Sequence, residues 1–200
     1  MFLVSLEGRY VTDEKPPCFQ NDEGIQPEMD MALTPSFERI NEHIMYLKAK
    51  IESRITQMRK EYCITSDASM VDFTITSQSN SQKFRNDFIG NPTSFFETIT
   101  GHYEMLNRFT DNLEELSKTA ADRYAKQKLL EIQGLVYDAM CSIKIVLKSQ
   151  YEDPNSKVPG GGNSFQYDNI CDQQNAEYLT MLIGYSVADY LNSLYSTVVN

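Results

Sequence analysis

The sequence predicts an all-α chain folded as a four-helix bundle, and three observations predict it. Four long segments repeat apolar residues at three- and four-residue steps, the spacing that lays side chains along one face of an α-helix. Two of the gaps between them are long and rich in Ser, Thr, Asn, Gly and Pro, whereas the middle gap is short. The composition, 41% hydrophobic and 11% aromatic, gives a chain of 200 residues the material for a sizeable core, one domain's worth or slightly more.

Residues 1–33 read as an irregular arm, with Pro16, Pro17, Gly24 and Pro27, seven acidic side chains against two basic ones, and no helical stripe. The bundle is expected over 34–200. Its first helix is expected over 35–62. Thr34 can cap the first turn, and Pro35 stands where a missing N–H costs nothing. Phe37, Ile40, Ile44, Leu47, Ile51, Ile55, Met58 and Tyr62 form one continuous stripe, with charged residues such as Glu38, Glu42, Lys50 and Lys60 on the other face. From Ile64 to Asn91 the pattern breaks. Val71, Phe73 and Ile75 alternate with polar residues as a short extended piece would, and Phe84 and Phe88 suggest one helical turn.

The second helix is expected over 92–117, opened by Asn91 as cap and Pro92, with Phe95, Phe96, Ile99, Tyr103, Leu106, Phe109 and Leu113 as its stripe. The third is expected over 120–150, with Tyr124, Leu129, Ile132, Val136, Met140, Ile143 and Leu147. Thr119 and Asp122 resemble a capping box and place the intervening turn near Ser117 and Lys118; one long bent helix is the alternative. Asp153, Pro154, Asn155, Pro159 and Gly160 to Gly162 make the second long connection. The fourth helix is expected over 172–199. Leu179, Leu182, Ile183, Val187, Tyr190, Leu191, Leu194 and Val198 make it apolar over a wide arc, so it is expected to be the most buried.

Loop length gives the bundle a direction. A short turn forces antiparallel neighbours, and a long connection permits a crossover to a parallel one. The simplest arrangement is up-up-down-down, the topology of growth hormones and cytokines. Four cysteines occur, none in Cys-x-x-Cys spacing, and two long-range disulfides or four buried thiols both fit the composition. In the directed bundle Cys63 and Cys171 share one end, while Cys18 and Cys141 lie toward the other. The pairings Cys63–Cys171 and Cys18–Cys141 are then geometrically open, which favours disulfides and an oxidising, extracellular setting.

Charge and composition narrow the function. The net charge of −10 repels phosphate backbones and anionic lipid surfaces, so no nucleic-acid and no membrane partner is expected. No apolar run reaches the roughly 18 residues of a membrane span. The opening Met1 to Glu7 is too short for a complete secretory hydrophobic region, as expected of a cytosolic chain or of a mature form. No metal, cofactor or enzymatic activity is expected. His43 and His102 are the only histidines and read as ordinary helix-surface residues; the glycine run lacks the Lys-Ser/Thr of a phosphate loop, and no nucleophile has an evident base.

The order of cysteines and helices resembles the long-chain four-helix cytokines of the interleukin-6 family, in particular the leukaemia inhibitory factor and oncostatin M branch. The stretch from His102 to Phe109 is similar to the second-helix pattern of those proteins. The resemblance implies the pairings Cys18–Cys141 and Cys63–Cys171 and a secreted monomer that assembles cell-surface cytokine receptor ectodomains. It also implies docking through exposed faces of the first and third helices, with Lys50, Arg54, Lys144 and Lys148 as candidates, and through the end that carries the start of the fourth, with Phe165 and Tyr167. That branch carries a Phe-x-x-Lys motif before the fourth helix; here Phe165 is followed by Asp168 in place of the Lys. No Asn-x-Ser/Thr glycosylation sequon occurs, because Pro92 blocks the one at Asn91. An intracellular helical adaptor is the competing expectation, and a lipid- or small-ligand-binding bundle the third.

Overall fold

The computed structural model describes residues 33–64, 78–120, 123–148 and 167–199. The secondary structure of the described residues is all helical, with α1 over Leu33–Glu61, α2 over Gln78–Gly90, α3 over Pro92–Thr119, α4 over Arg123–Lys148 and α5 over Ile170–Val199. The arm at 1–32 and the alternating residues Val71, Phe73 and Ile75 lie outside the described residues.

The apolar stripes become the core. Phe37, Ile40, Ile44, Leu47, Ile51, Ile55 and Met58 of α1 are buried, as are Phe95, Phe96, Ile99, Tyr103, Leu106, Phe109 and Leu113 of α3. The start of α3 follows from its sequence. The Asn91 side chain accepts from the Ser94 amide at 3.3 Å, and Pro92 occupies the first turn. At α5, Asn169 and Asp172 cap each other: Asp172 N donates to Asn169 Oδ1 at 3.0 Å, and Asn169 Nδ2 donates to Asp172 Oδ2 at 2.8 Å. Asp172 also places a carboxylate where the helix N-terminus favours one.

Contacts along the helices fix their directions. From one end to the other, α1 meets α5 through Phe37 with Tyr195, Lys48 with Asp189, Arg54 with Glu177, and Cys63 with Cys171, so the two run antiparallel. α1 meets α4 through His43 with Ser142, Lys50 with Glu131 and Gln57 with Tyr124, again antiparallel. α3 meets α5 through His102 with Tyr195 and, at the far end, Thr119 with Gln173, also antiparallel.

Several expectations are corrected. The region between the first two expected helices holds a 13-residue helix, α2, and not only a single turn. Its only buried described side chain, Phe84, joins Phe37, Phe88, Phe95 and Tyr195 in a ring cluster with centroids 4.9–6.2 Å apart, which anchors a helix of otherwise polar sequence. Thr119 is not a cap for α4. It ends α3, and its hydroxyl bonds back to the carbonyls of Glu115 and Leu116, each at 3.2 Å. The most buried helix is α4, with thirteen buried residues against eight in α5. The face of α5 also differs from the expected stripe. Tyr178, Met181, Gly184, Ala188, Leu191, Leu194 and Tyr195 are buried, whereas Leu179, Leu182, Val187, Tyr190 and Val198 are only partly so and Ile183 is exposed. An arc that is apolar all round does not mark its own inner edge, and small residues chose it here.

Candidate functional site

The end of the bundle where α1 stops and α5 starts concentrates chemistry. Cys63 and Cys171 are disulfide-bonded, with their Cα atoms 5.6 Å apart. The Cys63 amide donates to Gln174 Oε1 at 3.1 Å. The Gln173 side chain donates to the Thr119 carbonyl and so satisfies a backbone group at the C-terminus of α3. Cys141 is disulfide-bonded as well; Cys18, the partner the resemblance implies, lies outside the described residues.

Beneath the disulfide lies a buried ionic network. Arg54, 3% exposed, donates to Glu177 Oε1 from Nε at 3.0 Å and from Nη2 at 2.6 Å. It also donates to Gln57 at 3.1 Å and to the Tyr62 hydroxyl, which itself donates to Glu177 Oε2 at 3.0 Å. Both buried charges are thereby paired and hydrogen-bonded, the condition for tolerating them in a core. Burial opposes the charge of Arg54, but Glu177 outweighs it and raises the guanidinium's affinity for its proton. Burial, then the Glu177 charge, pushes the Tyr62 phenol above its ordinary value. A small cleft beside this network is lined by Leu116, Ala120, Leu129 and Ile170 together with Tyr62 and Glu177. Ile170, 49% exposed, and Tyr124, 52% exposed, stand at this end as large uncovered side chains.

The candidate docking residues fare unequally. Arg54 is withdrawn into the network just described, and Lys144 is likewise 3% exposed, so neither presents its charge on the surface as expected. Lys50 is half-exposed and paired with Glu131 at 3.1 Å. Glu131 also binds Lys128 at 3.0 Å; partial burial works against its charge, but the bonds from Lys128 and Lys50 hold its carboxyl below the usual range. Lys148 is half-buried. Tyr167 packs partly buried against the core, and its phenol is raised mainly by that burial. Phe165 lies outside the described residues.

The exposed cations of α1 and α4 are instead Arg39, Arg59, Lys60, Arg123 and Lys126. The two helices together carry eleven Lys and Arg against six Asp and Glu, whereas α3 and α5 carry two against eight. The expected third-helix stripe residue Tyr124 is exposed and receives a 2.8 Å hydrogen bond from Gln57.

The histidines are corrected too. His43 is half-buried, its Nδ1 3.1 Å from the Asp138 carbonyl and 2.9 Å from Ser142 Oγ. His102 is 1% exposed, with Nδ1 3.0 Å from the Tyr195 hydroxyl. Among the described residues no group of three or more His, Cys, Asp and Glu side chains could hold a metal ion. None of the described helices is long and apolar enough to cross a membrane.

Comparison with protein-family models, with curated proteins and with solved structures finds no match.

Proposed function

We propose that the chain is a secreted helical cytokine of the interleukin-6 type, which acts by bringing cell-surface receptor chains together and does no chemistry of its own. The observation that carries this is the Cys63–Cys171 disulfide, which ties the end of the first long helix to the start of the last. Such a bond belongs to an oxidising compartment. The antiparallel pairings support an up-up-down-down order of α1, α3, α4 and α5, with α2 set inside the first long connection. The connections from Glu61 to Pro92, which includes α2, and from Lys148 to Ile170 are long enough to cross the bundle to a parallel neighbour.

Two surfaces suit docking. One is the disulfide-tied end, where Ile170 and Tyr124 are uncovered near a cleft; exposed aromatic and aliphatic anchors are what interface hot spots are made of. The other is the α1/α4 side, where the exposed Arg39, Arg59, Lys60, Arg123 and Lys126 can meet carboxylates of a receptor face. The folded, oxidised protein is expected to capture a cytokine-receptor ectodomain from a purified panel. Reversing Arg123 and Lys126 to Glu weakens that capture, or Ile170→Asp does, according to the surface used. Failure to capture any ectodomain, with the helical fold intact by circular dichroism, refutes the proposal.

A further inference from the structure

His102 sits where a titratable group is least expected. It occupies the core side of α3, 1% exposed, with its ring 5.5 Å from Phe84 of α2, 5.5 Å from Tyr195 and 6.0 Å from Tyr190 of α5. One ring nitrogen meets the Tyr195 hydroxyl, while Nε2 is buried with no hydrogen-bond partner among the described residues. Among the described residues the rings that face it are two phenols and a phenyl. On α2, Lys83 and Arg85 flank Phe84 but are exposed, and Asp87 accepts from Ser94 Oγ at 3.1 Å. On α3, Glu97 and Arg108 are exposed and Glu104 is half-exposed. On α5, Asp189 is tied to Lys48 at 2.6 Å. Among the described residues no carboxylate is in contact with the imidazole to stabilise an imidazolium.

The wall that closes this site rests on few buried side chains. Phe84 is the one buried described side chain of α2, while α3 buries eleven residues and α5 eight. Removing α2 uncovers one face of the His102 ring and the stripe ends at Phe37, Phe95 and Tyr195, while the pairings of α1 with α4 and α5 farther along, such as Lys50 with Glu131 and Arg54 with Glu177, do not involve α2.

We propose that α2 is an acid-released flap: a proton taken up by His102 detaches α2 from α3 and α5, while α1, α3, α4 and α5 stay together. The imidazolium needs water or an anion, and the cage offers neither until Phe84 leaves. Burial holds the caged imidazole down to about 3, and an uncaged one titrates near 6.5, so acid favours the open form across that whole interval. The opening constant is expected to rise roughly 20- to 30-fold from about pH 7 to about pH 5, by linkage between those two values.

Hydrogen exchange read by mass spectrometry on the full chain tests this. After correction for intrinsic rates, protection of 78–90 is expected to fall by that factor while protection of α4 holds. The drop is expected to persist in His43→Gln, which removes the only other histidine, and to vanish in His102→Phe. Unchanged protection of α2, or an equal loss in every helix, overturns the proposal. The unsubstituted chain supplies both readouts, so the test survives a variant that does not fold.

Discussion

Three polar side chains, Arg54, His102 and Lys144, stand inside apolar ladders. Arg54 continues Leu47 and Ile51 toward Met58; His102 lies between Ile99 and Leu106; Lys144 lies between Met140 and Leu147, all at three- and four-residue steps. Their burial was therefore legible from position, although residue type argued for the surface. What the sequence did not carry was the partner: Glu177 reaches Arg54 across 123 positions of chain. Breaking a buried pair leaves a lone charge in the core, whereas replacing both members by apolar residues removes the problem. Arg54→Met is expected to lower stability by about 3–5 kcal/mol in urea denaturation, and adding Glu177→Leu should restore most of it. Equal losses in the single and double variants would contradict a coupled pair. Lys50→Ala, at a half-exposed pair, is expected to cost about 1 kcal/mol or less.

At the scale of the element, α1 and α3 were the most legible because one face is apolar and the other charged. α5 was less so: with few charged residues to mark its outer face, its inner edge includes the buried Ala188 and Gly184, where α3 comes close. A Cβ built on Gly184 would sit 2.2 Å from Cζ of Phe109, itself only 3% exposed. Gly184→Ala is accordingly expected to destabilise by about 1–3 kcal/mol, the usual cost of overpacking, despite alanine's better helix propensity. Combining it with Phe109→Leu should cost less than the sum of the two single changes. A stabilised Gly184→Ala protein would show that α3 and α5 do not approach this closely. The start of α3 was legible from Asn91 and Pro92, whose capping geometry is local. α2 was legible only as Phe84 and Phe88, since a polar helix held by two rings has no stripe to read.

For the whole molecule, α1 runs antiparallel to both α4 and α5, and the proposed bundle order rests on those pairings. The Cys63–Cys171 bond closes a span of 108 residues. Chain-entropy reasoning assigns a loop of that length about 4–5 kcal/mol, so the paired change Cys63→Ser with Cys171→Ser should lower stability by about that amount. A loss under about 1 kcal/mol would show that the bond constrains little. The five helices hold fifteen Lys and Arg and fifteen Asp and Glu, so the net charge of −10 resides entirely in the segments between and before them. Overall acidity therefore hid the balanced charge of the helices themselves. No family model, curated protein or solved structure matches, so the cytokine proposal stands on directions, disulfide and surfaces rather than on kinship. Its central claim is that one molecule of this protein joins two receptor chains. The direct measurement is a sensor surface carrying the first ectodomain the protein binds, saturated with the oxidised protein and then exposed to a second ectodomain. The account predicts a further binding step that requires the protein; absence of a second step with every receptor chain tried would contradict it.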